Sequence, residues 1–498
     1  MKLFLDGHDL EYEMRALCFA FFPGEPVECQ NTAAGGCPDD DFVYTKIKRH
    51  ADNKISALVC VSKGGVRKCA AERVRVKPNE RGHEFDIQCE FALGRAMYRA
   101  VAKITGFRHP WGILTGIRPV KLARARLSAG MAPDMAAKDL QKQFYTSKEK
   151  AELCVEAGIL EEQIISLSQP NSASLYISIP FCPSRCLYCS FISHDVEKMA
   201  KLLPEYVRLM CEEIEKTGEL ATELGLRLET IYIGGGTPTS LSARQLSDIM
   251  SCVKKSFKLD WLREYTVEAG RPDTITREKL DAIIDGGATR ISINPQTLND
   301  DILRAIGRNH TSAQVFEAFA QARQAGFKSI NMDLIAGLPG DTPQGFSKTL
   351  DGVLSLDPEA ITVHTLAMKR SSRLVTSGGG YYDAEARDVN LMLSEARSRF
   401  KTAGYRPYYL YRQKNTLGGL ENVGFAKPGF EGLYNIFIMD ETHTILAVGA
   451  GAVTKLRQPH GDKIERVFNF KYPYEYIGRF SEILDRKKKV KEFYASYN

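Results

Sequence analysis

No apolar run in this 498-residue chain is long enough to span a bilayer, which takes about 20 residues. The opening stretch, MKLFLDGHDLEYEM, lacks the apolar core of a secretory signal. Charge of one sign is scarce too. Lys and Arg outnumber Asp and Glu by 67 to 61, a formal net charge of +6. That surplus is too small to mark a nucleic-acid-binding surface, and it would not repel an acidic ligand. These absences predict a soluble cytoplasmic protein with no membrane span and no nucleic-acid partner. Also missing are two well-separated C-x-x-C pairs, the usual frame of a structural zinc site. A disulfide framework does not suit a reducing compartment.

What is present is ordinary globular composition, 44% hydrophobic and 26% charged. The length suits two or three domains. Nine of the 12 cysteines are scattered, at 18, 29, 37, 60, 69, 89, 154, 211 and 252. They are expected to be reduced, and often simply buried. Residues 1–168 read as an N-terminal α+β domain of unknown role. KLFLD suggests a strand, LEYEMRALCFAFF a helix, and FVYTKIKRH with KISALVCVS a hairpin. EFALGRAMYRAVAKITG has helical spacing and stops at Gly106. Residues 371–498 read as a mixed C-terminal extension. Its lysine run, Lys487, Lys488 and Lys489, is expected to be a solvated surface.

Residues 169–370 alternate between short β-branched runs and amphipathic stretches. SLYISIP, ETIYIG, YTVEA, TRISIN, SINMDLI and AITVHTL are the strand candidates. Strand–helix alternation predicts a parallel sheet. The unusual residues fall just after these strands, at their C-terminal ends, where a barrel builds its active site. The fold class expected is therefore α/β, an incomplete (β/α)6 barrel.

One loop carries the densest chemistry. In SLYISIPFCPSRCLYCSF, residues 174–191, Cys182, Cys186 and Cys189 fall within eight residues of each other. Clustered thiolates can hold an iron–sulfur cubane, and three thiolates on four irons leave one iron open for a ligand. Tyr188 could shield such a cluster or stack on a base, or be ordinary loop packing. Gly234-Gly235-Gly236-Thr237-Pro238 lets backbone come close to a ligand, although a triple glycine alone is more often a turn. Glu268, ending YTVEA, needs a cationic partner if buried. Arg308 and Asp333 would, on their own, read as a structural ion pair.

The pattern C-x3-C-x2-C after the first strand resembles the signature of radical S-adenosylmethionine (SAM) enzymes. IPFCPSRCLYCSF, GGGTPTSL, VEAGRPDTIT, RISINPQTLNDDILRAIGRNH and NMDLIAGLPGDT resemble, in order, the oxygen-independent coproporphyrinogen III dehydrogenase (oxidase)-like family, and ENVGFAKPG with LAVGAGAV continues the likeness. HPWGILTGIRP and the long N-terminal region are similar to its HemZ-like branch. The resemblance implies a radical SAM barrel, a [4Fe–4S] cluster on Cys182, Cys186 and Cys189, and one SAM per chain or two. It implies SAM contacts at Tyr176, Gly235, Gly236, Thr237 and Glu268, and Tyr188 beside the last cysteine is a further cofactor-binding candidate. Gln296, Arg308, Asp333, Ala367 and Val453 match further cofactor positions. The C-terminal extension would cover the barrel opening.

The implied reaction is reductive cleavage of SAM to a 5′-deoxyadenosyl radical. The radical takes hydrogen from a propionate β-carbon of coproporphyrinogen III, and loss of CO2 and an electron leaves a vinyl group. The partners implied are a tetrapyrrole and an electron donor such as flavodoxin or ferredoxin. Arg118, Lys121, Arg124 and Arg126 are candidate cations for the propionates, or else a plain solvated helix face. Two departures widen the choice of substrate. Phe191 stands where the dehydrogenase has a further cysteine, and C-Y-C-S-F is similar to the HemW haem-chaperone branch. That branch carries a His–Asn pair linked to haem binding, and here the matching place reads Tyr434-Asn435. A haem chaperone, or a methyltransferase or haem-modifying enzyme, are the alternatives to the decarboxylase.

Overall fold

The structure, a computed structural model, describes residues 1–22, 24–31, 41–51, 53–76, 82–116, 118–191, 193–369, 372–376, 386–413 and 415–497. It divides into two compact units. One comprises Met1–Glu156 with Arg412–Leu420, and the other Ala157–Tyr411 with Glu421–Asn498.

The first unit is built on a five-stranded sheet. Its strands are β1 (Lys2–Asp6), β2 (Glu28–Asn31), β3 (Phe42–His50), β4 (Lys54–Lys63) and β5 (Val66–Arg75), in the order β2-β1-β3-β4-β5. The expected hairpin is β3–β4, and β5 extends it antiparallel. Helix His83–Thr105 packs on this sheet and ends, as its sequence predicts, at Gly106 in the left-handed region at φ 68°. Cys37 lies outside the described residues; among the other scattered cysteines, the expectation that they are reduced fails at one pair. Cys60 and Cys69 sit directly opposite each other on β4 and β5 and form a disulfide. The reason is register: the Lys63–Val66 turn brings two positions nine residues apart into cross-strand contact.

The second unit contains an 11-stranded sheet. Six parallel strands follow in chain order: β6 (Ser172–Ile179), β9 (Arg227–Gly235), β10 (Glu264–Glu268), β11 (Arg290–Ser292), β12 (Ile330–Ala336) and β13 (Ala360–Thr365). All six are the runs read as strands from the sequence. Between β6 and β9 lie two short strands, β7 (Phe181–Cys182) and β8 (His194–Asp195), which pair only with each other. Beyond β13 come β15 (Glu421–Ala426), antiparallel to it, and β14 (Arg406–Arg412). Beyond β6 comes β16 (Thr444–Val448), a further parallel strand, then β17 (Val453–Arg457) and β18 (Ile464–Phe468). The crossover helices start at side-chain caps, with the exception of Leu203–Glu223 between β6 and β9. Ser242 and Thr311 make capping boxes with Gln245 and Gln314, and Thr276 and Thr342 accept a backbone N–H in the first turn. The six parallel strands do not close on themselves, so the expected incomplete barrel is what the sheet forms.

The lysine run is not uniformly solvated. Lys487 is buried and pairs with the fully buried Glu213 at 2.9 Å, also donating to Ala447 O at 3.1 Å. Helix Phe480–Ala495 turns this position inward, while Lys488 meets Asp485 at the surface. Charge composition alone cannot distinguish one helical face from the other.

Candidate active site

The parallel strands of the barrel all end on one side, and the cysteine loop leaves β6 there. After Pro180 the chain forms β7, whose ladder with β8 pairs Phe181 with His194 and Cys182 with Asp195. Cys182, Cys186 and Cys189 are free thiols on this loop. The loop is pinned at several points. Leu187 N–H donates to Ile306 O at 2.9 Å, Leu374 N–H to Leu187 O at 3.0 Å, and the Ser184 hydroxyl to Gly307 O at 3.3 Å.

The glycine segment ending β9 docks against the start of the loop. Gly236 N–H donates to Ile179 O and Thr237 N–H to Phe181 O, both at 2.7 Å. Thr237 Oγ1 lies 3.3 Å from Cys182 Sγ. A Cβ on Gly236 would meet Phe181 O at 2.6 Å and Cys182 Sγ at 3.0 Å. Gly235 has φ 112°, where side chains are strained, and its Cβ would meet Ile179 N at 3.0 Å. The close approach that these glycines allow is thus first to the protein's own backbone and to a cysteine sulfur.

Tyr176 on β6 and Tyr232 on β9 are cross-strand neighbours and stack at 6.2 Å. Tyr434 stacks on both, 4.6 Å from Tyr232 and 6.1 Å from Tyr176. Tyr232 donates to Glu268 Oε1 at 2.5 Å. Burial pushes the Glu268 carboxyl up to about 7, with the Asp333 charge adding to the rise and Tyr232, His364 and Gly235 opposing it. Asp333 moves the other way. Its burial is outweighed by His364, 3.8 Å away, and by Asn331, which donates at 2.8 Å. Two carboxyls within reach of each other's charge, on β10 and β12, are therefore poised differently, Asp333 charged and Glu268 able to hold a proton near neutrality.

This carries a sign for stability. An unfolded glutamate titrates near 4.3, so between there and about 7 the folded chain holds the extra proton. Cofactor-free protein should lose stability as pH rises to about 7 and level off above it. The bound on this loss is on the order of 4 kcal/mol. Glu268→Gln should flatten the curve, as measured by melting from about pH 5 to about pH 8. Parallel curves for the two proteins would exclude the assignment.

On the other flank Tyr188 and Arg308 meet. The Arg308 guanidinium is buried. It donates to the Tyr188 hydroxyl at 3.3 Å, to Asn294 O at 2.6 Å and to Gly270 O at 3.2 Å, and it lies beside Cys186. The alternative of an Arg308–Asp333 ion pair is therefore not what forms, because each group is held by other partners. Gln296 stands at φ 69° and exchanges backbone bonds with β12, its N–H donating to Asp333 O at 2.9 Å. Its side-chain Oε1 is buried without a partner. Ala367 follows β13. Val453 opens β17, just past the Gly449–Ala452 turn, where Ala450 O accepts from Ser178 on β6 at 2.8 Å. Phe191 is exposed. In the first unit, Arg126 is engaged by Asp139 at 2.7 Å and by Gln143 at 2.9 Å.

Three residues of this neighbourhood escaped the sequence reading: Tyr232, Arg271 and His364. Tyr232 could have been found from its alternation with the glycines in IYIGGG, which puts it on the Tyr176 side of the sheet. The other two meet the site through partners distant in sequence, Arg271 through Ser184 and His364 through Asp333.

Burial raises the Cys189 thiol to about 11 and also raises that of Cys182, and neighbouring cysteines add to both shifts. Among the described residues, no three His, Cys, Asp or Glu side chains close on the point that a single ion would take. Three free thiols along one pinned loop instead suit a multi-iron cluster, in which each thiolate takes its own iron.

The family model "Radical SAM superfamily" matches residues 176–353. The chain is 38% identical to the oxygen-independent coproporphyrinogen-III oxidase-like protein HemZ of Bacillus subtilis, over 93% of each chain. It is 33% identical to the haem chaperone HemW of the same organism, over 56% of this chain and 70% of that one. Among solved structures it is similar to the coproporphyrinogen III oxidase HemN of Escherichia coli, a radical SAM enzyme. The TM-score is 0.52 at 24% identity, covering 65% of this chain and 72% of the other, a likeness of fold.

Proposed function

This chain belongs to the radical SAM family of oxygen-independent coproporphyrinogen-III oxidase-like proteins, and from that premise we propose that it decarboxylates coproporphyrinogen III oxidatively, turning propionates into vinyl groups without oxygen. The family's cofactors are a [4Fe–4S] cluster and SAM. In this reading Cys182, Cys186 and Cys189 hold the cluster. Tyr176, Gly235, Gly236, Thr237 and Glu268 line the SAM beside it. Gln296, Arg308, Asp333, Ala367 and Val453 extend the cofactor-binding surface. The bound cofactors supply one-electron chemistry that removes a hydrogen atom from a propionate β-carbon.

The chain's own residues do the rest. Glu268 holds a proton when no cation is near and gives it up to face one, so its charge follows occupancy. Asp333 stays charged beside His364. The three stacked tyrosines form an apolar wall that excludes water from the reacting centre. Tyr188 covers the cysteine loop with Arg308 behind it.

The observation that favours catalysis over haem carriage is Tyr434. It occupies the place of the chaperone branch's histidine, is 4% exposed, and is stacked against two other rings. A phenol ligates iron only when deprotonated, and burial drives this one well above its ordinary range. Haem binding is therefore expected to be weak and unchanged in Tyr434→Phe, by anaerobic titration followed in the visible spectrum. Incubation of reconstituted protein with SAM, reductant and coproporphyrinogen III should yield vinyl-bearing tetrapyrroles. Tight one-to-one haem binding that Tyr434→Phe abolishes, without decarboxylated product, would make the chaperone reading first.

A further inference from the structure

The segment after β10 carries a second basic residue that the cofactor positions leave unused. Arg271 is 2% exposed. Asp273 grips it bidentately, Nε to Oδ1 at 3.1 Å and Nη2 to Oδ2 at 2.8 Å. Such a fork fixes the guanidinium plane and leaves Nη1 pointing onward. Nη1 donates to Ser184, at 2.7 Å to the hydroxyl and 3.3 Å to the carbonyl. Ser184 lies midway between Cys182 and Cys186, and its hydroxyl passes a bond on to Gly307 O. One side chain thus ties the cysteine loop to the strand end that bears Glu268, three residues upstream of it.

We propose that Arg271 is a positioning residue for the cluster-binding loop, clamping Ser184 while setting a fixed positive charge beside the cysteines. A surface lysine could supply charge, and an apolar contact could supply rigidity. A buried guanidinium fixed by its own carboxylate supplies both. A rigid loop holds three thiols at the spacing that a cluster requires, so iron should leave slowly. A nearby positive charge favours the more negative, reduced cluster, so the charge should raise the reduction potential. The inference rests on the family's cluster and is independent of which substrate is turned over.

The test uses the full chain, reconstituted anaerobically, and needs no tetrapyrrole. Iron release to a chelator reads the clamp, and the midpoint potential from an EPR-monitored redox titration reads the charge. Arg271→Lys keeps charge but loses the fork, and should release iron several-fold faster with little change in potential. Arg271→Met should release iron as fast and also shift the midpoint to more negative values. Ser184→Ala removes the receiving hydroxyl, and with it the bond to Gly307 O, and keeps the variant foldable if the arginine changes do not; it too should speed iron release. Wild-type iron retention in folded Ser184→Ala and Arg271→Lys would overturn the clamp. An unshifted potential in Arg271→Met, or in Asp273→Asn a shift to more negative values as large as that of Arg271→Met, would overturn the charge role. Failure of the decarboxylation assay alone leaves every one of these readouts in place.

Discussion

Cys186→Ala is expected to abolish the cluster's visible absorbance and to lower reductive SAM cleavage at least tenfold. Only three thiols stand on the loop, so the loss of one leaves two irons open and the cluster without a stable frame. The substitution itself is mild for the polypeptide. Cys186 is 8% exposed, and its backbone carbonyl accepts from Cys189 N–H whatever the side chain. The loop's anchors at Leu187, Ser184 and Thr237 also survive. Melting of the cofactor-free variant should stay close to that of the parent, which separates ligand loss from unfolding. Cys211→Ala, on helix Leu203–Glu223, is the matched control and should keep full iron. Full iron and full cleavage in Cys186→Ala would refute the cluster assignment.

The reach of sequence reading is uneven for physical reasons. The barrel strands were legible because each is a short β-branched run bounded by polar or glycine punctuation, and parallel strands buried on both faces cannot look otherwise. The cysteine loop was legible because all its chemistry is local. β5 was not: VRKCAAERVR is mostly exposed, with no apolar face to read, and it becomes a strand only because β4 offers a partner edge. The same pairing makes the Cys60–Cys69 bond, which cysteine spacing alone does not announce.

Within the site, the residues read individually are present, but their pairings come from register. Tyr176 meets Tyr232 because β6 and β9 align those positions, and Tyr434 arrives from a helix about 200 residues further on. Glu264, four residues before Glu268, accepts from Leu433 N–H at 2.7 Å and Tyr434 N–H at 3.2 Å. It therefore caps the helix that presents Tyr434. A carboxylate in YTVEA's lead-in has no sequence mark of that task. Arg308 and Asp333 show the converse error. Opposite charges suggest a pair, but backbone carbonyls satisfy the arginine and His364 with Asn331 satisfies the aspartate.

Gly236→Ala should damage the site more than its single methyl group suggests. The added Cβ would lie 2.6 Å from Phe181 O and 3.0 Å from Cys182 Sγ, and the first of these is backbone that cannot swing aside. Relief requires β9's end and the cysteine loop to separate. That would lengthen the 2.7 Å bonds from Gly236 N–H to Ile179 O and from Thr237 N–H to Phe181 O. Overpacking of this kind costs about 1–3 kcal/mol. The functional loss should exceed it, because the displaced sulfur is a proposed cluster ligand and the displaced backbone lines the proposed SAM site. Iron per chain and SAM affinity should both fall several-fold, while helical content by circular dichroism stays intact. Gly478→Ala, where nothing lies within 4 Å of the added methyl, isolates the effect and should be neutral in both measurements. Gly236→Ala with parental iron content and SAM affinity would show that the glycine segment and the cysteine loop are not mechanically joined.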